Sequence, residues 1–177
     1  MWNQENYQKA IAFAGFAHRK QLVPGTEYCY VVHISNVTAE IARLMMVEKI
    51  GDEDFAIQCA LLHDVIEDTE VTQNELKNKF GEKVLNGVLA LSKNNEIEKE
   101  KRMEDSLKRI KEQGKEIACI KMADRITNLQ KPPHYWTTQK IKQYLDESNI
   151  IYNELNEYSE FLGARLKEKI NDYKKYL

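Results

Sequence analysis

The chain has 177 residues, 31% of them charged, and a formal net charge of −2. That length suits one domain with a full hydrophobic core, and the near balance of charge excludes a broad nucleic-acid or polyanion surface. Seven glycines and three prolines are too few for a turn-rich β architecture, so the expectation is an all-α, compact single-domain bundle over residues 1–177.

Apolar residues recur at helical spacing between short breaks. The first helix is predicted from about Asn3 to Lys20, with Tyr7, Ala10, Ile11, Ala14 and Ala17 on one face. A second spans about His33 to Lys49 and buries Val37, Ile41, Leu44 and Met45. A third begins after Gly51, where Asp52, Glu53 and Asp54 suit the positive end of a helix, and reaches about Ile66. Thr72 with Glu75 is a capping-box pattern for a short helix ending near Gly81. Later helices are predicted at Glu82–Ser92, Glu96–Gln113, Lys115–Leu129, Thr138–Glu157 and Ser159–Tyr176.

The start, MWNQENYQKA, has no basic region followed by an apolar core, and no run approaches about 18 apolar residues. Neither a membrane span nor export is expected. Cys29, Cys59 and Cys119 have no CxxC spacing, and the last two lie in apolar helical contexts, which points to reduced core thiols. A cytoplasmic location is the expectation. No surface pattern indicates a protein partner or an oligomeric state.

The end of the third helix carries unusual chemistry. An apolar run, Phe55 to Leu62, delivers His63, Asp64, Glu67, Asp68 and Glu70 with no Lys or Arg from Phe55 to Leu76. At about 100° per residue, His63, Asp64, Glu67 and Asp68 share an arc of about 140° with Ala56 and Ala60, so small residues leave space above the polar groups. Carboxylates this close repel one another, and a divalent cation supplies the countercharge. An amphipathic helix with a solvated acidic face is the plainer explanation. A second polar set, Asp124 and Asn128 at i and i+4, interrupts the apolar run from Ile117 to Leu129, although Arg125 offers Asp124 an ordinary ion pair. His33 opens the second helix.

In order, His33, His63, Asp64 and Asp124 form the H…HD…D pattern of the HD-domain metal phosphohydrolases. The strings YVVH, ALLHDVIEDT, LKNKFGEKVLNGVLALSK and IKMADRITNL closely resemble the hydrolase domain of the RelA/SpoT-homologue family, from about Tyr7 to Tyr158. The chain looks like a stand-alone small alarmone hydrolase. The resemblance implies a helical fold, one Mn²⁺ ion, and removal of the 3′-diphosphate from guanosine tetra- or pentaphosphate to give GDP or GTP plus pyrophosphate. Two imidazoles and two carboxylates also admit Fe²⁺, Co²⁺ or Zn²⁺. His18 and His134 sit in no second-metal motif and read as structural or peripheral.

The resemblance further makes Glu67 and Asp68 the catalytic pair that holds or deprotonates water, and gives Asn128 and Tyr144 nucleotide contacts. Arg19, Lys20 and Lys140 are candidate phosphate or base contacts. One departure stands out: family members carry an Arg-Lys pair where this chain has Val23 and Pro24, so weak guanine selectivity is expected. The competing functions are an HD phosphatase acting on another nucleotide, such as the 2′-phosphate of NADPH or a nucleoside monophosphate, and a catalytically idle binding module. The small-molecule partner is a nucleotide in the first two cases.

Overall fold

Asn3 starts the first helix, accepting hydrogen bonds from the backbone of Glu5 and Asn6 through Oδ1 at 2.8 and 3.1 Å. A computed structural model describes all 177 residues. The helices are α1 (Gln4–Ala17), α2 (Val31–Met45), α3 (Glu53–Leu62), α4 (Val65–Asp68), α5 (Gln73–Leu91), α6 (Arg102–Gln113), α7 (Lys115–Asn128), α8 (Thr138–Leu155) and α9 (Glu160–Tyr173). Short 3₁₀ turns precede α6 and follow α8 and α9. Strands are absent apart from one isolated bridge, Leu22 to Cys29. No helix is long and apolar enough to cross a membrane.

The expected helices are present, with two informative differences. First, α2 begins at Val31 rather than His33, because the loop before it closes on itself: Val23 N–H donates to Tyr28 and Tyr30 N–H to Gln21, at 2.9 and 3.0 Å. His33 thereby falls inside the first turn. Second, the third helix stops at Leu62, and His63 and Asp64 form a break before α4. The polar groups therefore do not share one continuous helical arc. At Gly81 the expected break is present: its φ of 86° and ψ of 168° are non-helical, so the range given for α5 holds two helical segments that meet there. The Thr72–Glu75 capping box is formed in both directions.

Forty buried hydrophobic residues make one continuous core. At its centre lies α3, whose Phe55, Ala56, Ile57 and Cys59 to Leu62 are all buried, packed against α1, α2, α5 and α7. A helix apolar on every side must be enclosed by other helices, and the small Ala56 and Ala60 let its neighbours approach closely. All three cysteines are free thiols, and Cys59 and Cys119 are buried.

Gly87 marks the tightest of these approaches. A Cβ there would lie 2.8 Å from Cys59 Sγ and 2.9 Å from both Ile117 Cδ1 and Phe55 Cζ. Gly to Ala in a helix ordinarily gains about 1 kcal/mol, but overpacking of this kind costs about 1–3 kcal/mol. Gly87→Ala is therefore expected to lower the melting temperature by a few degrees in a thermal scan, and an increase would show that α3 and α7 can part at no cost.

Candidate metal centre

Three helices bring the two polar sets together. His33 comes from the first turn of α2, His63 and Asp64 from the break after α3, and Asp124 from the last turns of α7. His33 Nε2 and His63 Nε2 are 3.2 Å apart. Asp64 Oδ2 lies 2.9 Å from His63 Nε2 and 3.7 Å from His33 Nε2. Asp124 Oδ1 lies 3.5 and 3.9 Å from the Nε2 atoms of His33 and His63. His33, His63 and Asp64 form a set whose donor atoms all fall within 4.8 Å of one another.

The far sides of both rings decide which nitrogen faces inward with a lone pair. His63 Nδ1 is 2.8 Å from the Ala60 carbonyl oxygen, which can only accept, so Nδ1 carries the hydrogen. Thr127 Oγ1 donates to the Asp124 carbonyl at 2.9 Å and is left to accept from His33 Nδ1 at 3.3 Å. Both Nε2 atoms thus present lone pairs to the same point, alongside two carboxylates. Such a set attracts a cation. Bonds of about 2.0–2.2 Å to a common ion would leave neighbouring donors roughly 3 Å apart, and the spacings here fit. The donor set is nitrogen and oxygen without thiolate, which suits a divalent first-row metal.

The carboxylates favour positive charge on the two rings, so a bound cation would compete with protons for the Nε2 lone pairs. Burial disfavours charge on both imidazoles, yet hydrogen bonds and charges from Asp124 and Asp64 outweigh it, raising His33 to about 9 and raising His63 as well. Burial likewise opposes ionisation of the two carboxyls. Asp64 is nonetheless held well below its usual range by His63 and His33, and Asp124 is lowered by His33 and Lys121. Tyr30, which donates to Asp64 Oδ2 at 2.6 Å, has its phenol pushed up by burial and by Asp64, so it stays a donor.

Glu67 and Asp68 flank the cluster and point to different partners. Glu67 accepts from Lys93 twice, from Nζ at 2.5 Å and from the backbone N–H at 2.8 Å. Asp68 Oδ2 accepts from Gln21 Nε2 at 3.0 Å, and Gln21 Oε1 accepts from His18 Nδ1 at 2.6 Å. Burial and the charge of Asp64 raise the Asp68 carboxyl, against the lowering effect of Gln21.

Sequence reasoning missed several of these partners. Of the two readings offered for His18, structural or peripheral, the structural one fits: it is buried, stacks on Tyr30 with centroids 4.8 Å apart, and its Nε2 has no partner. Tyr30 sits one helical turn before His33, and Gln21 three residues after His18, spacings that could have flagged both. Lys93 comes from beyond α5 and left no local signal. Arg125 does not pair with Asp124. It turns towards α8, with its guanidinium 4.1 Å from the Tyr144 ring and 3.7 Å from Glu147 Oε2. Asp124 is instead approached by Lys121 at 3.5 Å and receives a 2.5 Å hydrogen bond from Asn128 Nδ2.

The residues expected to meet substrate separate into two groups. Asn128 adjoins Asp124, Tyr144 packs against Trp136, and Lys140 Nζ lies 5.6 Å from the centre of the Trp136 ring. Arg19 and Lys20 instead border a cleft on the α1 side that also reaches Asp68. Val23 packs partly buried against the core, and Pro24 is exposed; neither offers a side-chain donor. His134 is exposed against Tyr135.

Known proteins align with this arrangement. The family model described as HD domain matches residues 10–158. A Drosophila melanogaster protein, guanosine-3′,5′-bis(diphosphate) 3′-pyrophosphohydrolase MESH1, is 26% identical over 167 residues, covering 92% of this chain and 91% of its own. A guanosine-3′,5′-bis(diphosphate) 3′-pyrophosphohydrolase of Aquifex aeolicus is 29% identical over 178 residues, of which this chain spans only 24% of the longer protein. Among solved structures, a metazoan orthologue of SpoT, described as hydrolysing ppGpp, superposes with a TM-score of 0.85 at 25% identity, covering 100% of this chain and 99% of that one. A Listeria monocytogenes structure shares the fold, with a TM-score of 0.66 at 19% identity over 84% of this chain and 99% of that one.

Proposed function

The chain belongs to the HD-domain family, and on that footing we propose that it is a manganese-dependent guanosine 3′,5′-bis(diphosphate) 3′-pyrophosphohydrolase. The observation that carries this reading is the convergence of His33, His63, Asp64 and Asp124 in a chain similar from end to end to hydrolases of that name. These four side chains would hold one ion. A divalent metal bound there polarises a phosphoryl oxygen and makes water more acidic.

The reaction joins a water oxygen to the phosphorus attached to the ribose O3′ and breaks the P–O3′ bond. The O3′ leaves protonated, and pyrophosphate carries away the water oxygen. Asp68 is the group proposed to take the water's proton. One of its oxygens is tied to Gln21 while the other is open, and its raised carboxyl makes it a stronger base than an ordinary aspartate. Glu67 has both oxygens engaged by Lys93, which suits it to hold the water or the attacked phosphate in line rather than to carry a proton away. Tyr30 and the His18–Gln21 pair fix the directions of Asp64 and Asp68. Asn128, Lys140 and Tyr144 are proposed to meet the ribose and the 3′-diphosphate, and the cytoplasm is the proposed compartment.

A turnover screen with Mn²⁺ tests the reading. The guanosine 3′,5′-bis(diphosphate) is expected to give GDP and pyrophosphate. With neither Val23 nor Pro24 able to hold a base, the adenosine analogue should follow within about tenfold in kcat/KM, under about 1.4 kcal/mol of discrimination. Release of orthophosphate from NADPH or a nucleoside monophosphate, without pyrophosphate from the bis(diphosphate), would move the assignment to a nucleotide phosphatase. Turnover of none would leave a binding module.

A further inference from the structure

Three imidazoles are buried, and His18 is the one that faces no metal-ligand candidate. It follows the last turn of α1, and only 3% of it is exposed. One face lies on the Tyr30 ring, and Nε2 is enclosed with no hydrogen-bond partner. Buried polar atoms nearly always have partners, so a bare nitrogen in a closed core calls for a reason.

The other side of the ring supplies it. Gln21 joins His18 to Asp68, with Nε2 of the amide 3.0 Å from Asp68 Oδ2 and Oε1 2.6 Å from His18 Nδ1. An ionised carboxylate only accepts, so the amide must turn its NH₂ group towards Asp68 and its oxygen towards His18. That oxygen also only accepts, so His18 Nδ1 carries a hydrogen. Burial lowers the affinity of the ring for a second proton, which leaves it neutral with Nε2 bare. A glutamine amide has nearly the same shape when turned over, and turned over it would aim its oxygen at the Asp68 carboxylate. No hydrogen bond of the Gln21 side chain other than these two opposes that rotation. A hydrogen on His18 Nδ1 does oppose it, because only the amide oxygen can receive it.

The empty surroundings of Nε2 decide which nitrogen holds that hydrogen. The other tautomer would bury an N–H with no acceptor, and an orphaned donor is rarer in proteins than an under-used acceptor. We propose that His18 is a positioning residue for the hydrolysis: its unpartnered Nε2 keeps the hydrogen on Nδ1, which fixes the Gln21 amide and holds Asp68 with one oxygen free for water. The inference rests on the reading of Asp68 as the base. A base that drifts by about 1 Å can lose about 100-fold in rate, so a residue two hydrogen bonds away from the chemistry acquires a kinetic effect.

The test compares His18→Phe, Gln21→Leu and the double variant. Phenylalanine keeps a ring against Tyr30 and removes the orphaned nitrogen, so the melting temperature should hold or rise. The kcat of the manganese-loaded enzyme should nonetheless fall about 10–100-fold, with KM within about twofold and one manganese per chain. Gln21→Leu should lose a similar factor, and the double variant should be no slower than Gln21→Leu, because His18 acts only through the amide. Gln21→Glu, which can accept from His18 but cannot donate to Asp68, should also be slow. Full turnover by His18→Phe, or losses that multiply in the double variant, would overturn the proposal. Nuclear magnetic resonance of the diamagnetic zinc-loaded protein gives a readout apart from turnover. His18 should carry its hydrogen on Nδ1, and the Gln21 amide proton bonded to Asp68 should shift in both Asp68→Asn and His18→Phe. A hydrogen on Nε2, or a Gln21 signal indifferent to His18, would equally overturn it. If the wild type hydrolyses no bis(diphosphate) while these signals behave as expected, the arrangement of the three side chains stands and the pyrophosphohydrolase reading falls.

Discussion

Replacing His63 by alanine is expected to abolish bound manganese and pyrophosphate release together. His63 Nε2 is the donor nearest to both other members of its group, 3.2 Å from His33 Nε2 and 2.9 Å from Asp64 Oδ2. Its Nδ1 is anchored to the Ala60 carbonyl, which holds the ring with Nε2 facing the cluster. Loss of a group that merely orients a metal ligand typically costs about 10–100-fold; loss of the ligand itself should exceed about 1,000-fold in turnover. Because the ring is buried, the alanine variant also leaves a cavity, and Asp64→Asn serves as a companion that keeps its size. Metal content by elemental analysis and turnover should fall in both. A His63→Ala protein with one ion per chain and normal turnover would show that the ion sits elsewhere.

Glu67→Gln and Asp68→Asn should separate chemistry from assembly. Each keeps its volume and loses a negative charge, so manganese and nucleotide should still bind while kcat falls at least about 100-fold, or about 2.7 kcal/mol of barrier. For Asp68 the pH profile gives a second readout. Its carboxyl is raised by burial and by Asp64, so in the native enzyme the rate should fall as pH drops through a value above the usual aspartate range, where the base becomes protonated. In Asp68→Asn that acid limb should disappear from the residual activity. Loss of manganese from both variants would instead make the two carboxylates ligands.

Much of this arrangement was legible in the chain because its signals are local. Helix periodicity, the Thr72–Glu75 cap and the run from Ile117 to Leu129 each lie within one element, and the structure places helices there. The approach of His33, His63, Asp64 and Asp124 could be read from the composite pattern, although they come from separate helices. The break after Leu62 was not legible: a helical wheel assumes one axis, and the His63 bond to Ala60 with Asp64 at φ −104° and ψ −2° ends it. Partners that arrive from remote elements were equally hidden. Lys93 reaches Glu67 only because α5 packs beside α4, and Gln21 reaches Asp68 only because the loop after α1 folds over it. The ordinary ion pair between Asp124 and Arg125, the plainer alternative in the sequence, does not form because adjacent residues point to different faces of a helix.

The donors are contributed by residues 33, 63, 64 and 124, so during synthesis the set stays incomplete until α7 has left the ribosome. An ion held by all four has no counterpart in the unfolded chain and favours the folded one by mass action. At a free concentration 100 times its dissociation constant, that contribution is about 2.7 kcal/mol, a large share of a typical domain's net stability. With the proposed ion bound at these four residues, metal supply would bear on the lifetime of the molecule as well as on its turnover. A cell short of the ion would hold less of this protein, having lost the unclasped chains to proteolysis.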